Sequence, residues 1–259
     1  AGVPWEQVVD GAVTRGWAGV ECLTGIPGST GATPIQNVGA YGQEVAEVIE
    51  SVRVIARDTL EPEELSADEC AFAYRDSRFK REPERFVLTG VAFSMRPGGA
   101  PSIRYAELER SVSPAASLQE VRRSVLELRR RKSMVLDAND PNRRSAGSFF
   151  LNPILSRDEL ARVTEQALRD GLIAEPREMP AYPSGDGGTK LAAAWLIEKA
   201  GIAKGTRRGA VGVSTRHALA LVHHGGGTTA ELLAFADEIR ARVRERFGVE
   251  LEREPRLLA

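Results

Sequence analysis

The chain is poor in the residues that build metal centres and disulfide scaffolds, with two cysteines and three histidines in 259 residues. Cys22 and Cys70 have neither metal-ligand spacing nor the density of a disulfide framework, and they read as buried thiols of a reducing compartment. His223 and His224 are adjacent, which on a strand turns them to opposite faces. His217 has no carboxylate near it in sequence, so no metal site is expected. No GxGxxG follows a strand, and neither GxxxxGK(S/T) nor GxSxG occurs, so the dinucleotide-fold, P-loop and α/β-hydrolase readings lack their anchors. No apolar run approaches the roughly 20 residues that cross a bilayer, and no signal peptide is visible, which argues for the cytoplasm and against membrane insertion. The 35 basic and 36 acidic side chains nearly cancel. That balance leaves no global field for nucleic acid.

What the chain does have is a long glycine- and proline-rich stretch, Gly25–Gly42, GIPGSTGATPIQNVGAYG, with amide side chains and almost no charge. Glycine permits positive φ and close backbone approach, proline limits flexibility, and exposed N–H groups form an anion-binding nest. Such a stretch meets a large polar ligand or makes a complicated turn beside a sheet, and glycine content alone leaves both open.

The remaining pattern is that of an α+β protein. With 42% hydrophobic residues the chain can bury a sizeable core, in one large or two medium domains. Pro4 to Gly16 reads as a helix with Val8, Val9, Ala12 and Val13 on its apolar face. Val48–Arg57 and Arg85–Met95 read as two strands of one sheet. Between them, Ser66 and Glu69 have capping-box spacing, predicting a short helix that ends near Phe72. Ser117 and Glu120 cap a long amphipathic helix to about Arg131. The polar DANDPNRR, 137–144, marks a candidate domain boundary. Beyond it, helices are predicted over Ser156–Asp170 and Lys190–Ala200, a strand buried on both faces around Leu219–His223, and a helix from Thr228 that stops at Gly248. The tail Val249–Leu258 reads as extended.

Several chemically suggestive residues have ordinary alternatives. Arg75 in YRDS, 74–77, pairs with Asp76 or binds an anion. The arginine run Arg129–Lys132 is a solvated helix face or a phosphate site. Ser148 in AGSFFLN, 146–152, is a turn residue or a desolvated, oriented hydroxyl. Glu252 and Glu254, two apart in an extended tail, share a face that is usually solvated.

In order along the chain, GIPGSTGATPIQNVGAYG, AYRDSRFK, RYAEL, RKSMVLD, AGSFFLNP, KLAAAWLIEKAG, HALALVH and LEREPR resemble the UDP-N-acetylenolpyruvoylglucosamine reductase (MurB) family, tyrosine-loop subclass. The resemblance implies an FAD-binding region of the p-cresol methylhydroxylase type over 1–137, with a return at 249–259. An α+β substrate-binding domain would span 138–248. It also implies a monomeric FAD-dependent NADPH oxidoreductase that converts UDP-N-acetylglucosamine enolpyruvate to UDP-N-acetylmuramic acid for peptidoglycan. Family members carry an upstream subdomain whose GGSN-type loop grips the other side of the FAD diphosphate, and the matching blocks begin after it. Two alternatives stay open: a fragment that binds the UDP-sugar with little reductase activity, and a related FAD-dependent oxidase.

Residue by residue, the resemblance makes Arg75 and Glu254 the pair at the reacting carboxylate and Ser148 the proton donor. Arg75 would stabilise the negative charge that builds beside the carboxylate, and Glu254 would orient or share a proton, because a bare carboxylate opposes an enolate. A carbanion is basic enough to take a proton from serine, so Ser148 needs alignment more than a lowered pKa. Tyr74, Tyr105, Lys132, Asn152 and His217 match substrate-contacting positions, with Tyr105 and Lys132 closing over the diphosphate. Ile26, Gly28, Ala32, Ile35, Asn37, Gly39, Tyr41, Arg129 and Arg256 match FAD contacts.

Overall fold

The computed structural model describes residues 1–184 and 187–257, so Leu258, the last residue of the predicted tail, lies outside the described residues. The chain divides into two units, Ala1–Leu136 and Asp137–Ala259.

In the first unit Pro4 precedes the helix Trp5–Thr14, which buries Trp5, Val9, Ala12 and Val13 and ends before Gly16 at φ 69°. A three-stranded antiparallel sheet follows, with Ile49–Ala56 in the centre between Pro62–Ser66 and Phe86–Phe93. Its central strand buries Ile49, Val52, Val54 and Ala56. These residues form one core with Trp5, Val9, Leu23, Val45, Cys70 and Phe79. Each fully buried large side chain contributes roughly 1.5–3 kcal/mol. The helix Leu118–Arg131 carries the capping box between Ser117 and Glu120 and buries Val121, Val125 and Leu128 beside Cys22 and Leu108 in a second cluster.

The reciprocal bonds of Ser66 and Glu69 form as well, but they close a turn and no helix follows. Ala71 lies at φ 46° and the Cys70 carbonyl accepts the N–H of Arg78, which bends the chain away from helical continuation.

The second unit holds a four-stranded antiparallel sheet ordered Arg207–Arg208, Val211–Val213, Ala220–His223, Ser145–Ser148. Val211, Val213, Leu221 and Val222 are buried, as a strand covered on both faces requires. Capping boxes start the helices Arg157–Arg169 and Thr229–Phe247, and Gly248 ends the latter at φ 66°. The predicted helix Lys190–Ala200 is shorter, Ala193–Lys199, because Thr189–Leu191 is drawn into a small sheet with Ala181–Pro183 and Ile154–Leu155.

The described part of the tail pairs within the second unit. Leu151 donates to the Glu252 carbonyl at 3.0 Å, Glu254 donates to that of Phe149 at 3.0 Å, and Leu251 is fully buried in the core of the second unit. Among the described residues of the tail, strand-like pairing takes the form of a bridge between Phe150 and Arg253.

Candidate cofactor and substrate sites

The glycine-rich stretch is held by backbone pairing at its start and by side chains along its length. Trp5 donates to the Gly28 carbonyl at 2.9 Å, Thr30 to that of Val3 at 2.8 Å and Gly31 to that of Ala1 at 2.8 Å. Glu6 receives the Gly25 N–H at 2.6 Å and the Thr24 hydroxyl at 2.7 Å, and also binds Arg122 at 2.7 Å. Asn37 is 1% exposed and sits at φ 44°. Its Nδ2 donates to Glu44 at 2.7 Å and to the Ala73 carbonyl at 3.0 Å, while its Oδ1 accepts from Ala46 at 3.1 Å. The side chain of Asn37 therefore organises the loop. Gly28, at φ 123°, has open space where a side chain would be, and Ala32 and Ile35 are exposed.

Arg129 overturns the solvated-face reading of its run. It is buried, and its Nη2 donates to the Met134 carbonyl at 2.7 Å and to that of Gly25 at 3.3 Å. Its Nε is buried without a hydrogen-bond partner among the described residues. Burial pushes the guanidinium pKa down, against the opposing influence of Tyr41 and Glu6. A Cβ on Gly25 would lie 3.3 Å from that Nε and 2.9 Å from Leu126, so only glycine, at φ 72°, lets the loop approach.

At the C-terminal end of the same helix, Lys132 donates to Glu107 and lies 5.7 Å from the centre of the Tyr41 ring. Tyr41 meets Tyr105 edge to face at 5.5 Å. Burial drives the Tyr41 phenol pKa far above its usual value, which keeps the ring neutral. Three expected site residues, Tyr41, Tyr105 and Lys132, are thus brought together in the first unit.

Arg75 occupies the left-handed region at φ 52°. Its Nη2 donates to the Gly39 carbonyl, its own carbonyl accepts from Lys80 at 2.7 Å, and its guanidinium lies 5.3 Å from the Tyr74 ring. Asp76 accepts instead from Arg81. A Cβ on Gly39 would come within 2.7 Å of the Arg75 guanidinium and 3.0 Å of the Gln43 carbonyl, so a side chain there would crowd Arg75.

In the second unit Ser148 ends its strand opposite Ala220, and the next residue, Phe149, binds both the Leu219 carbonyl and the Glu254 N–H. Ser148 and Glu254 therefore lie on adjoining backbone segments. Asn152 Oδ1 accepts the N–H of Ala193 at 2.9 Å, which ties it to the start of the helix Ala193–Lys199. The backbone of His217 is held by the Ser214 hydroxyl at 3.3 Å, and its carbonyl accepts from Ala220 at 3.1 Å. Arg256 is exposed in the tail. His223 bonds to the Gly227 carbonyl and receives the Gly225 N–H, and no metal-binding cluster exists among the described residues.

Residues 140–258 match the family described as UDP-N-acetylenolpyruvoylglucosamine reductase, C-terminal domain, and residues 1–59 match the FAD binding domain family. The UDP-N-acetylenolpyruvoylglucosamine reductase of Thermobifida fusca is 51% identical over 98% of this chain and 72% of that protein. The chain belongs to this reductase family. The reductase of Streptomyces coelicolor is 50% identical over 98% of this chain and 68% of that protein. A crystal structure of the Thermus caldophilus reductase covers 97% of this chain and 68% of its own, with a TM-score of 0.60 and 23% identity. The α+β fold, with its FAD-binding region and family C-terminal domain, is the family's.

Sequence reasoning missed Glu6, Glu21 and Glu107. Glu6 and Glu21 carry no local signature of burial, and Glu107 reads as one more surface acid. The burial of Arg129, already among the expected FAD contacts, is legible in its spacing. It falls at i+4 from Val125 and i+8 from Val121, on the apolar face.

Proposed function

We propose that the chain reduces UDP-N-acetylglucosamine enolpyruvate to UDP-N-acetylmuramic acid for peptidoglycan, with FAD as cofactor and NADPH as reductant. The observation that carries this reading is the 51% identity to a reductase of that name across almost the entire chain. The residues present fit a polyanionic flavin nucleotide: the orphaned Nε of buried Arg129 beside Gly25, and the open backbone at Gly28. FAD supplies hydride transfer when bound. Ile26, Gly28, Ala32, Ile35, Gly39, Tyr41, Arg129 and Arg256 are its proposed contacts, with Asn37 buttressing them from behind. In this reading residues 1–137 contribute the flavin region and 138–248 the substrate fold.

Arg75 offers paired donors to the substrate carboxylate and stabilises the charge that grows beside it. Ser148 Oγ–H delivers a proton to the carbon next to that carboxylate, and Glu254 orients the reacting group. Lys132 and Tyr105 bind the diphosphate; Tyr74, Asn152 and His217 complete the substrate contacts. The Ser148→Ala holoenzyme should bleach its flavin with NADPH in anaerobic stopped flow and then fail to reoxidise on addition of the enolpyruvyl substrate. Normal turnover would overturn the assignment, and rapid oxygen consumption would favour an oxidase. No described helix is long and apolar enough to cross a membrane. The reading extends to a cytoplasmic monomer, which sedimentation and cell fractionation would check.

A further inference from the structure

Glu107 has no role in the chemistry above, yet its carboxylate sits on the ammonium assigned to the diphosphate. Lys132 follows the last turn of the helix Leu118–Arg131, and its N–H is bonded to the Arg129 carbonyl at 3.1 Å, so the helix fixes its backbone. Glu107 lies on the short turn Ala106–Glu109, two residues from Tyr105. The Tyr105 carbonyl accepts the N–H groups of Leu108 and Glu109 at 2.8 and 2.9 Å. The ion pair thus ties the Tyr105 turn to the helix end.

Water reaches both partners, since the lysine side chain is 29% and the glutamate 37% exposed. A pair so exposed is weak and readily exchanged. A diphosphate brings more than one negative charge and several acceptor oxygens to an ammonium that Glu107 meets with a single carboxylate. Once the diphosphate is in place, a carboxylate that stayed beside it would repel it.

We propose that Glu107 is a positioning residue that occupies Lys132 in the ligand-free enzyme and is exchanged for the diphosphate of the substrate. This rests on the reading of Lys132 as a diphosphate ligand. The exchange opposes every ligand that needs Lys132 and leaves untouched those that do not.

The test is calorimetric titration of the full-chain holoenzyme with UDP and with uridine, alongside KM for the enolpyruvyl substrate. Glu107→Gln should tighten UDP by about threefold, the factor corresponding to a solvent-screened pair, and lower KM similarly, with uridine affinity unchanged. Glu107→Ser should do the same through a side chain too short to reach. A merely structural role would weaken UDP and uridine together. Lys132→Met separates the two ideas. If it leaves UDP affinity intact, the reading of Lys132 fails. If it weakens UDP at least tenfold while Glu107→Gln and Glu107→Ser leave UDP unchanged or weaker, the exchange is overturned and the reading of Lys132 stands.

Discussion

Replacing Glu6 by glutamine tests the junction between the first helix and the glycine-rich loop. The carboxylate accepts from Thr24, Gly25 and Arg122 at 2.6–2.7 Å. Burial pushes its pKa up, but the bonds from Arg122, the Gly25 N–H and the Thr24 hydroxyl outweigh burial, so the group titrates below the ordinary 4.5. Hydrogen bonds to a charged group contribute about 1.5–3 kcal/mol each when dry. Here the carboxylate side chain is 39% exposed and Arg122 keeps its second partner, Asp10, at 2.8 Å. Glutamine also retains one acceptor oxygen. Solvent screening and the surviving contacts reduce the expected loss to about 1–2 kcal/mol at pH 7. Because the folded group is the more acidic, its contribution is full above the unfolded pKa and is lost as pH falls through the folded one. Glutamine does not titrate, so the gap between wild type and Glu6→Gln should close on acidification. Urea denaturation at pH 7, 5 and 3, with equal slopes, measures it. A gap that stays constant down to pH 3 would refute the charge-based account.

Two other perturbations separate competing explanations. Asn37→Gly keeps the φ of 44° easy but removes three side-chain hydrogen bonds; we expect a loss of about 2 kcal/mol, and roughly 1 kcal/mol more for Asn37→Ala, which adds the left-handed penalty. A neutral Asn37→Gly in thermal or urea unfolding would mean that asparagine serves only the backbone. Both cysteines are free and buried, burial pushing Cys70 up to about 11 and Cys22 higher still. At pH 8 only about one Cys70 in a thousand is thiolate, so an aromatic disulfide reagent should label both thiols only after unfolding, and rapid labelling of the native protein would contradict the burial.

Regular elements were legible wherever the signal is local. The boxes at Ser117, Ser156 and Thr228 each start the helix they announce, because cap, third residue and apolar stripe lie within two turns. The same spacing at Ser66 announces only a turn, since the backbone bends at Ala71 before a second helical turn can form. Thr189–Leu191 could not be told from the helix that follows by pattern. One of its two strand partners, Ile154–Leu155, lies more than thirty residues away in sequence. The tail bonds to Phe149 and Leu151, which lie more than a hundred residues before it in sequence.

The candidate cofactor site was legible as a stretch of sequence, and what holds it was not. An irregular loop has backbone N–H groups that no helix or sheet satisfies, and burying one unpaired costs about as much as a lost hydrogen bond. Side-chain oxygens take such N–H groups within the stretch and in the segments beside it: Gly25 donates to Glu6, and around it Gly19 donates to Glu21, Cys22 to Gln43, Ala46 to Asn37 and Ser102 to Glu21. Glu21 is fully buried and, besides those two N–H groups, receives the Gln43 amide at 3.3 Å. Such acceptors suit the task because two carboxyl oxygens can serve several donors at once. Ser102 and Glu21 are 81 residues apart, so no short window along the sequence contains that pair. Within the stretch and beside it, Glu6, Asn37, Gln43 and Glu21 thus fix the shape of a backbone that no helix or sheet holds.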